Sequence, residues 1–256
     1  MIKNKYAQRG STLIVVLVIL LLITIIGTLA IRQSLVSLNI ATNGQVQQLM
    51  FQNSDAAMFN VEDVNSLARQ LAGDGMFGYI RTANNKGKEL VFCYKGTQPG
   101  FFSLANASVM QWKEGQVAPD GTELGSGGYC SVNSANNYTS GRRAVMTQVS
   151  IQFVSLSSGT TPFAGTALGT DAETAKVITP EKAIVHTISI MPTLSSASDT
   201  DINTCLSTKM SNPSVPTGVT ATAGASQSVS QCIAALNVPF ETHVTEYNLT
   251  QTLSSS

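Results

Sequence analysis

The chain has 256 residues, 43% of them hydrophobic and only 12% charged, with Lys and Arg balancing Asp and Glu at 15 each. That content excludes a highly charged disordered chain and a basic nucleic-acid binder, and the length allows an anchor plus one domain. Four cysteines at even count, none closely paired, exclude the common zinc spacings and suit an oxidising compartment.

The first residues carry Lys3, Lys5 and Arg9 and no acid; Gly10 to Ile31 then runs without a charge until Arg32. As a helix, about 20 such residues cover the hydrocarbon core of a bilayer. The basic flank places the N-terminus in the cytoplasm and the rest of the chain across the membrane. A secretory signal peptide is one reading, but the run exceeds the roughly 7–15 residues of a signal core. A plain anchor is another. The basic leader ending in Gly10, followed by Ser11, Thr12, Leu13 and Ile14, resembles the N-terminus of type IV pilins. The resemblance implies cleavage by a prepilin peptidase between Gly10 and Ser11, with the apolar segment retained. Two positions depart from the pilin pattern. Ser11 stands where pilins usually carry phenylalanine, which bears on N-methylation of the new terminus. Val15 stands where most pilins carry a glutamate that pairs with the amine of a neighbouring subunit. An unpaired carboxylate in hydrocarbon is costly, so its loss suits a subunit with no neighbour above it.

The helix is expected to continue past Ile31, since no proline occurs before Pro99. Leu35, Leu38, Thr42, Leu49, Ala56 and Phe59 form an apolar stripe at heptad spacing, interrupted by Gln45 and Gln52. The second half is therefore amphipathic and needs a domain to cover it. Asn60 and Asp63 are placed to cap a short helix from Val61 to Leu71.

Glu89 to Tyr94 reads as a strand, and Phe101 to Trp112 as one or two apolar pieces. The clearest strand is Arg143 to Val154, with Val145, Thr147, Val149, Ile151 and Phe153 on one face and Met146, Gln148, Ser150 and Gln152 on the other. Lys182 to Met191 alternates likewise and is closed by Pro192. The polar connection Ser155 to Pro180 is long for a hairpin. Ser195 to Ser230 has a linker composition, but Cys205 and Cys232 bracket most of it, which points to a stapled surface excursion. Val238 to Leu249 is a last strand, followed by a loose tail, Thr250 to Ser256. The four cysteines, Cys93, Cys130, Cys205 and Cys232, allow three disulfide pairings. Sequential pairing is the local one; loops of about 30–40 residues would each contribute roughly 3.5–4 kcal/mol.

No catalytic constellation is legible. His186 and His243 fall inside strands and read as ordinary sheet residues. Asp199-x-Asp201-x-Asn203 resembles the opening of a calcium loop, but residue 204 is threonine and residue 210 methionine, so no metal site is expected. Tyr129, Tyr138, Asn136 and Asn137 mark a loop beside Cys130 that reads as a solvated turn. No nucleophile elbow, phosphate loop or cofactor motif is present, and no enzyme activity is expected.

Thr12-Leu13-Ile14, the absent acid at Val15, the apolar run and Leu38-Asn39-Ile40-Ala41-Thr42 resemble the PilX type of minor pilin. The resemblance implies an α+β fold: a long helix, membrane-spanning in its first half, packed on an antiparallel sheet with disulfide-stapled loops. It divides the chain into a leader (1–10), the helix (11–60) and a periplasmic or extracellular domain (61–256). It implies a single-pass inner-membrane protein that moves to the pilus, near its tip, and helps prime assembly. Partners would be other minor pilins, the major pilin, the prepilin peptidase and a large tip adhesin, with no nucleic acid and no cofactor. The alternatives are the tip pseudopilin of type II secretion, which also lacks the acid but usually carries a large helical insertion, and a membrane-anchored exported enzyme or binding protein.

Overall fold

The computed structural model describes residues 11–96, 102–154 and 181–249. The leader with Gly10, the start of the apolar piece at Phe101, the connection 155–180 and the tail 250–256 lie outside the described residues. The chain divides into two compact units, the second beginning at Leu49.

Helix α1 spans Ser11–Val61 without a break, 51 residues in all. Its N-terminal stretch is long and apolar enough to cross a membrane. Every residue from Thr12 to Leu35 is exposed there, as a bilayer-facing helix requires. From Leu49 onward α1 belongs to the second unit. Its buried stripe there is Met50, Ser54, Ala57, Met58 and Val61, while Leu49 is exposed and Phe59 is 75% exposed. The heptad stripe through Leu49, Ala56 and Phe59 is thus corrected by one helical step. An unsupercoiled helix turns every 3.6 residues and drifts off a strict seven-residue repeat. The true stripe also includes a serine: Ser54 and Thr187 share a buried hydroxyl–hydroxyl bond.

Asp63 alone caps α2 (Val64–Leu71), accepting from the Asn65 N–H at 3.1 Å. Asn60 instead donates to the Ala56 carbonyl inside α1, which runs on to Val61. A further short helix, α3 (Met76–Arg81), sets Met76, Phe77 and Ile80 into the core.

Among the described residues six antiparallel strands follow: β1 (Glu89–Tyr94), β2 (Ala107–Gln111), β3 (Asp120–Glu123), β4 (Met146–Val154), β5 (Glu181–Ile190) and β6 (Phe240–Leu249). Their order is β3-β2-β1-β4-β5-β6. The strand expected from Arg143 begins only at Met146, because Arg143 is held at φ 51°, outside the extended region. On one side of the sheet Leu90, Phe92, Val149, Ile151, Phe153 and Val185 pack on α1 and α3.

The other side carries the main correction to the sequence reading. Met146, Gln148, Ser150 and Gln152 have the composition of a solvent face, yet all four are buried. The linker-like stretch after Ser195 covers them. It folds into α4 (Asp199–Thr208) and, after a loop, α5 (Val229–Ala235), and brings Ile202, Cys205, Leu206, Met210, Val229 and Ile233 into the interior. Each helix starts on a serine cap: the Ser198 hydroxyl accepts from the Asp201 N–H and the Ser228 hydroxyl from the Gln231 N–H, the latter within a full capping box. Antiparallel sheets usually leave one face wet; here both faces of β4 are covered.

Candidate functional site

Two regions concentrate what is unusual in this chain: the stapled face of the sheet and the first turns of α1. The structure pairs Cys93 with Cys130 and Cys205 with Cys232. The first bond ties β1 to the loop before β4, and the second ties α4 to α5.

Polar groups then key these segments onto the sheet. Gln148 accepts from the Cys130 N–H through Oε1 and donates to the Leu206 carbonyl through Nε2, both at 3.0 Å. One side chain of β4 thereby grips both stapled segments. Asn203 accepts from the Val132 N–H at 2.8 Å and donates to Asn133 at 2.7 Å, joining the segments to each other. Gly128 N–H donates to the Ser108 hydroxyl at 2.9 Å. A Cβ at Gly128 would lie 2.2 Å from the Val91 carbonyl oxygen, so only glycine allows the loop this close to the strands. The loop read as a solvated turn is therefore corrected. Tyr129, Asn137 and Tyr138 are buried, with the phenol of Tyr129 donating to the Gly121 carbonyl and that of Tyr138 to the Val132 carbonyl. Burial, then the carboxylates of Glu89 and Asp120, push the Tyr129 phenol up, so it stays a neutral donor.

Glu89 is the residue the sequence reading missed. It is 1% exposed and its carboxylate accepts from the Ser211 N–H at 2.8 Å and the Asn212 N–H at 2.7 Å. It holds the chain leaving α4 against the sheet. The available sign was an acid at the head of an otherwise apolar strand, in phase with Val91 and Cys93. Burial pushes the carboxyl up to about 7, against the lowering effect of those backbone donors. Because the folded value is raised, the native state holds a proton that the unfolded state has released. Stability is fully present below the ordinary glutamate value and falls as pH rises from about 4.5 to about 7, by roughly 3 kcal/mol. Glu89→Gln should flatten that slope, read as urea midpoints of the full chain in detergent across this window. An unchanged slope would remove Glu89 as its source. Asp120 titrates elsewhere: hydrogen bonds from Lys113 and Thr122 hold it down to about 2.

The remaining chemistry-bearing residues do not converge. His186 lies on the stapled face and His243 on the helix face, stacked on Phe51, so the sheet separates them. Burial lowers the His186 imidazole from its ordinary value. Asp199, Asp201 and Asn203 sit in α4 rather than in a calcium-type loop; the Ser198 hydroxyl donates to Asp201 at 2.7 Å. Among the described residues no group of three or more His, Cys, Asp or Glu is arranged to hold a metal.

At the other end, Val15 is 53% exposed in α1, four residues after Ser11 begins the helix, with no charge near it in sequence.

A long apolar N-terminal helix leading into an antiparallel sheet pinned by two disulfides is a pilin-like α+β plan. Residues 9–59 match the family model described as PilX N-terminal. The match takes in 51 of the 256 residues, nearly all of α1, and supports a PilX-type pilin N-terminus there. No curated protein and no solved structure matches the chain.

Proposed function

We propose that this chain is a minor pilin that primes type IV pilus assembly and sits at or near the filament tip with other minor pilins. The observation that carries the proposal is Val15 in place of the pilin glutamate, within a segment that matches the PilX N-terminal family. A subunit inside a pilin stack offers a carboxylate to the amine of the subunit above. Val15 offers none, so this chain makes no upward pair. Its own amine at Ser11 still serves the acid of the subunit below. Such one-sided complementarity starts a stack and extends one poorly. A buried ion pair adds little certain stability, so its value lies in register and order.

On the same reading a prepilin peptidase cuts between Gly10 and Ser11, and α1 then holds the protein in the inner membrane with the disulfide-bonded domain in the periplasm. The other minor pilins, the major pilin and a large tip adhesin are the partners. N-terminal sequencing of membrane-extracted protein tests the first step. A mature chain beginning at Ser11 is expected; one beginning at Ile31, or retaining Met1, would sink the pilin reading.

A further inference from the structure

The two edges of the sheet are built differently. At one edge β3 has only four residues, and its register with β2 shifts between Val109 and Gln111. Its backbone is satisfied locally: the Tyr129 phenol bonds the Gly121 carbonyl, and the Asp120 carboxylate accepts from the Thr122 N–H at 3.0 Å. Short, irregular and self-bonded edges do not recruit further strands.

At the other edge β6 has ten residues, paired with β5 without a register shift. It contains no proline and no lysine. The Met191 N–H donates to the Pro239 carbonyl at 3.0 Å, so odd-numbered residues of this stretch turn their backbone toward β5. Thr242, Val244 and Glu246 therefore turn N–H and C=O outward, and no other hydrogen bond reaches those groups among the described residues. The same three residues send their side chains to the stapled face, where all three are exposed, Val244 by 52%. There Thr242 and Val244, with His186, Ile188, Val229 and Ser230, line a cavity of about 220 Å³.

The geometry points to β6 as a docking edge for an extended strand of a different polypeptide. The outward row of alternating donors and acceptors is satisfied in full only by a strand, which fixes the occupant's conformation. Its side chains on the stapled face would lie against Val244 and the cavity, which favours aliphatic or β-branched residues there. The formal charges on β6 are Glu241 and Glu246; among the described residues Lys182 pairs Glu246 and none pairs Glu241, which is left to attract a basic residue. The occupant is thus a β-strand alternating aliphatic residues with lysine or arginine. The inference goes beyond the pilus reading and does not depend on tip position.

The test uses the full chain in detergent micelles and a fluorescent nonapeptide, Lys-Val-Thr-Val-Lys-Val-Thr-Val-Lys. Saturable binding is expected, with slowed hydrogen exchange at the amides of Thr242, Val244 and Glu246. Val244→Pro removes one outward N–H without touching the ladder to β5 and should weaken binding by roughly tenfold or more. Val244→Thr keeps the N–H and should bind within about twofold of wild type. If Val244→Pro fails to fold, the exchange pattern of the wild-type chain decides alone. Absence of binding, protection elsewhere, or equal binding by a folded Val244→Pro variant would overturn the inference. So would a sedimenting dimer lost in Val244→Pro, which would assign the edge to a second copy.

Discussion

Replacing both Cys205 and Cys232 by serine is expected to cost roughly 3–4 kcal/mol and to open the stapled face of the sheet. The bond closes a loop with a sequence separation of 27 residues, most of it poor in apolar side chains, so little else restricts that segment once the chain unfolds. In the folded state it joins α4 to α5, which together supply Ile202, Leu206, Val229 and Ile233 to the core above β4 and β5. Losing this cover would expose Gln148, Ser150, Gln152 and Glu89, whose partners at Leu206, Ser211 and Asn212 lie in the same segment. Thermal unfolding and protease digestion of the full chain in detergent would report it, with cleavage between Ser195 and Ser230 appearing first. A double-serine variant as stable and protease-resistant as the parent would contradict this account of the face. Cys93→Ser with Cys130→Ser should also destabilise, but the Gln148, Asn203 and Ser108 bonds keep that loop in place.

The second large effect is expected from Val15→Glu. An ionised acid in the centre of a membrane helix costs about 3 kcal/mol on insertion scales, and less toward an end. Val15 lies in the first turns of α1, so the variant should still insert, with the longer apolar run beyond it outweighing one acid. It would then carry the carboxylate that internal pilin subunits use. Its share in the filament shaft should rise severalfold relative to the membrane pool, measured by immunoblotting sheared filaments against membranes. An unchanged ratio would mean that the missing acid does not set where this subunit sits.

Much of the plan was legible because it rests on strong local periodicities. The uncharged run after Arg9 marks the stretch of α1 that is long and apolar enough to cross a membrane. The apolar run in Glu89–Tyr94 and the alternation in Lys182–Met191 mark β1 and β5 to within a residue. The errors share a physical cause: tertiary contacts that composition does not encode. Gln148, Ser150 and Gln152 have the composition of an outer face, and only the return of α4 makes them an inner one. Ser195 to Ser230 reads as linker because the few large apolar residues it buries, Ile202, Leu206, Met210 and Val229, are spread among serines and threonines; the disulfide and the serine caps let them suffice. The stripe on α1 slipped by a step because a strict seven-residue repeat drifts against 3.6 residues per turn, and nothing local marks Ser54 as a residue that bonds Thr187 inside the core. Glu89 went unnoticed for the opposite reason, since nothing local marks an acid that will be buried by a segment more than a hundred residues away.

The central claim is a position in the filament, so the decisive measurement is where and how often this chain occurs in it. Sheared filaments can be labelled with gold-conjugated antibody to the domain after β1 and counted by electron microscopy, alongside quantitative mass spectrometry of the same material. The account predicts label at filament ends, an abundance far below the major subunit, and few filaments in a deletion strain that still makes that subunit. Label spread along the shaft at an abundance rivalling the major pilin would contradict it.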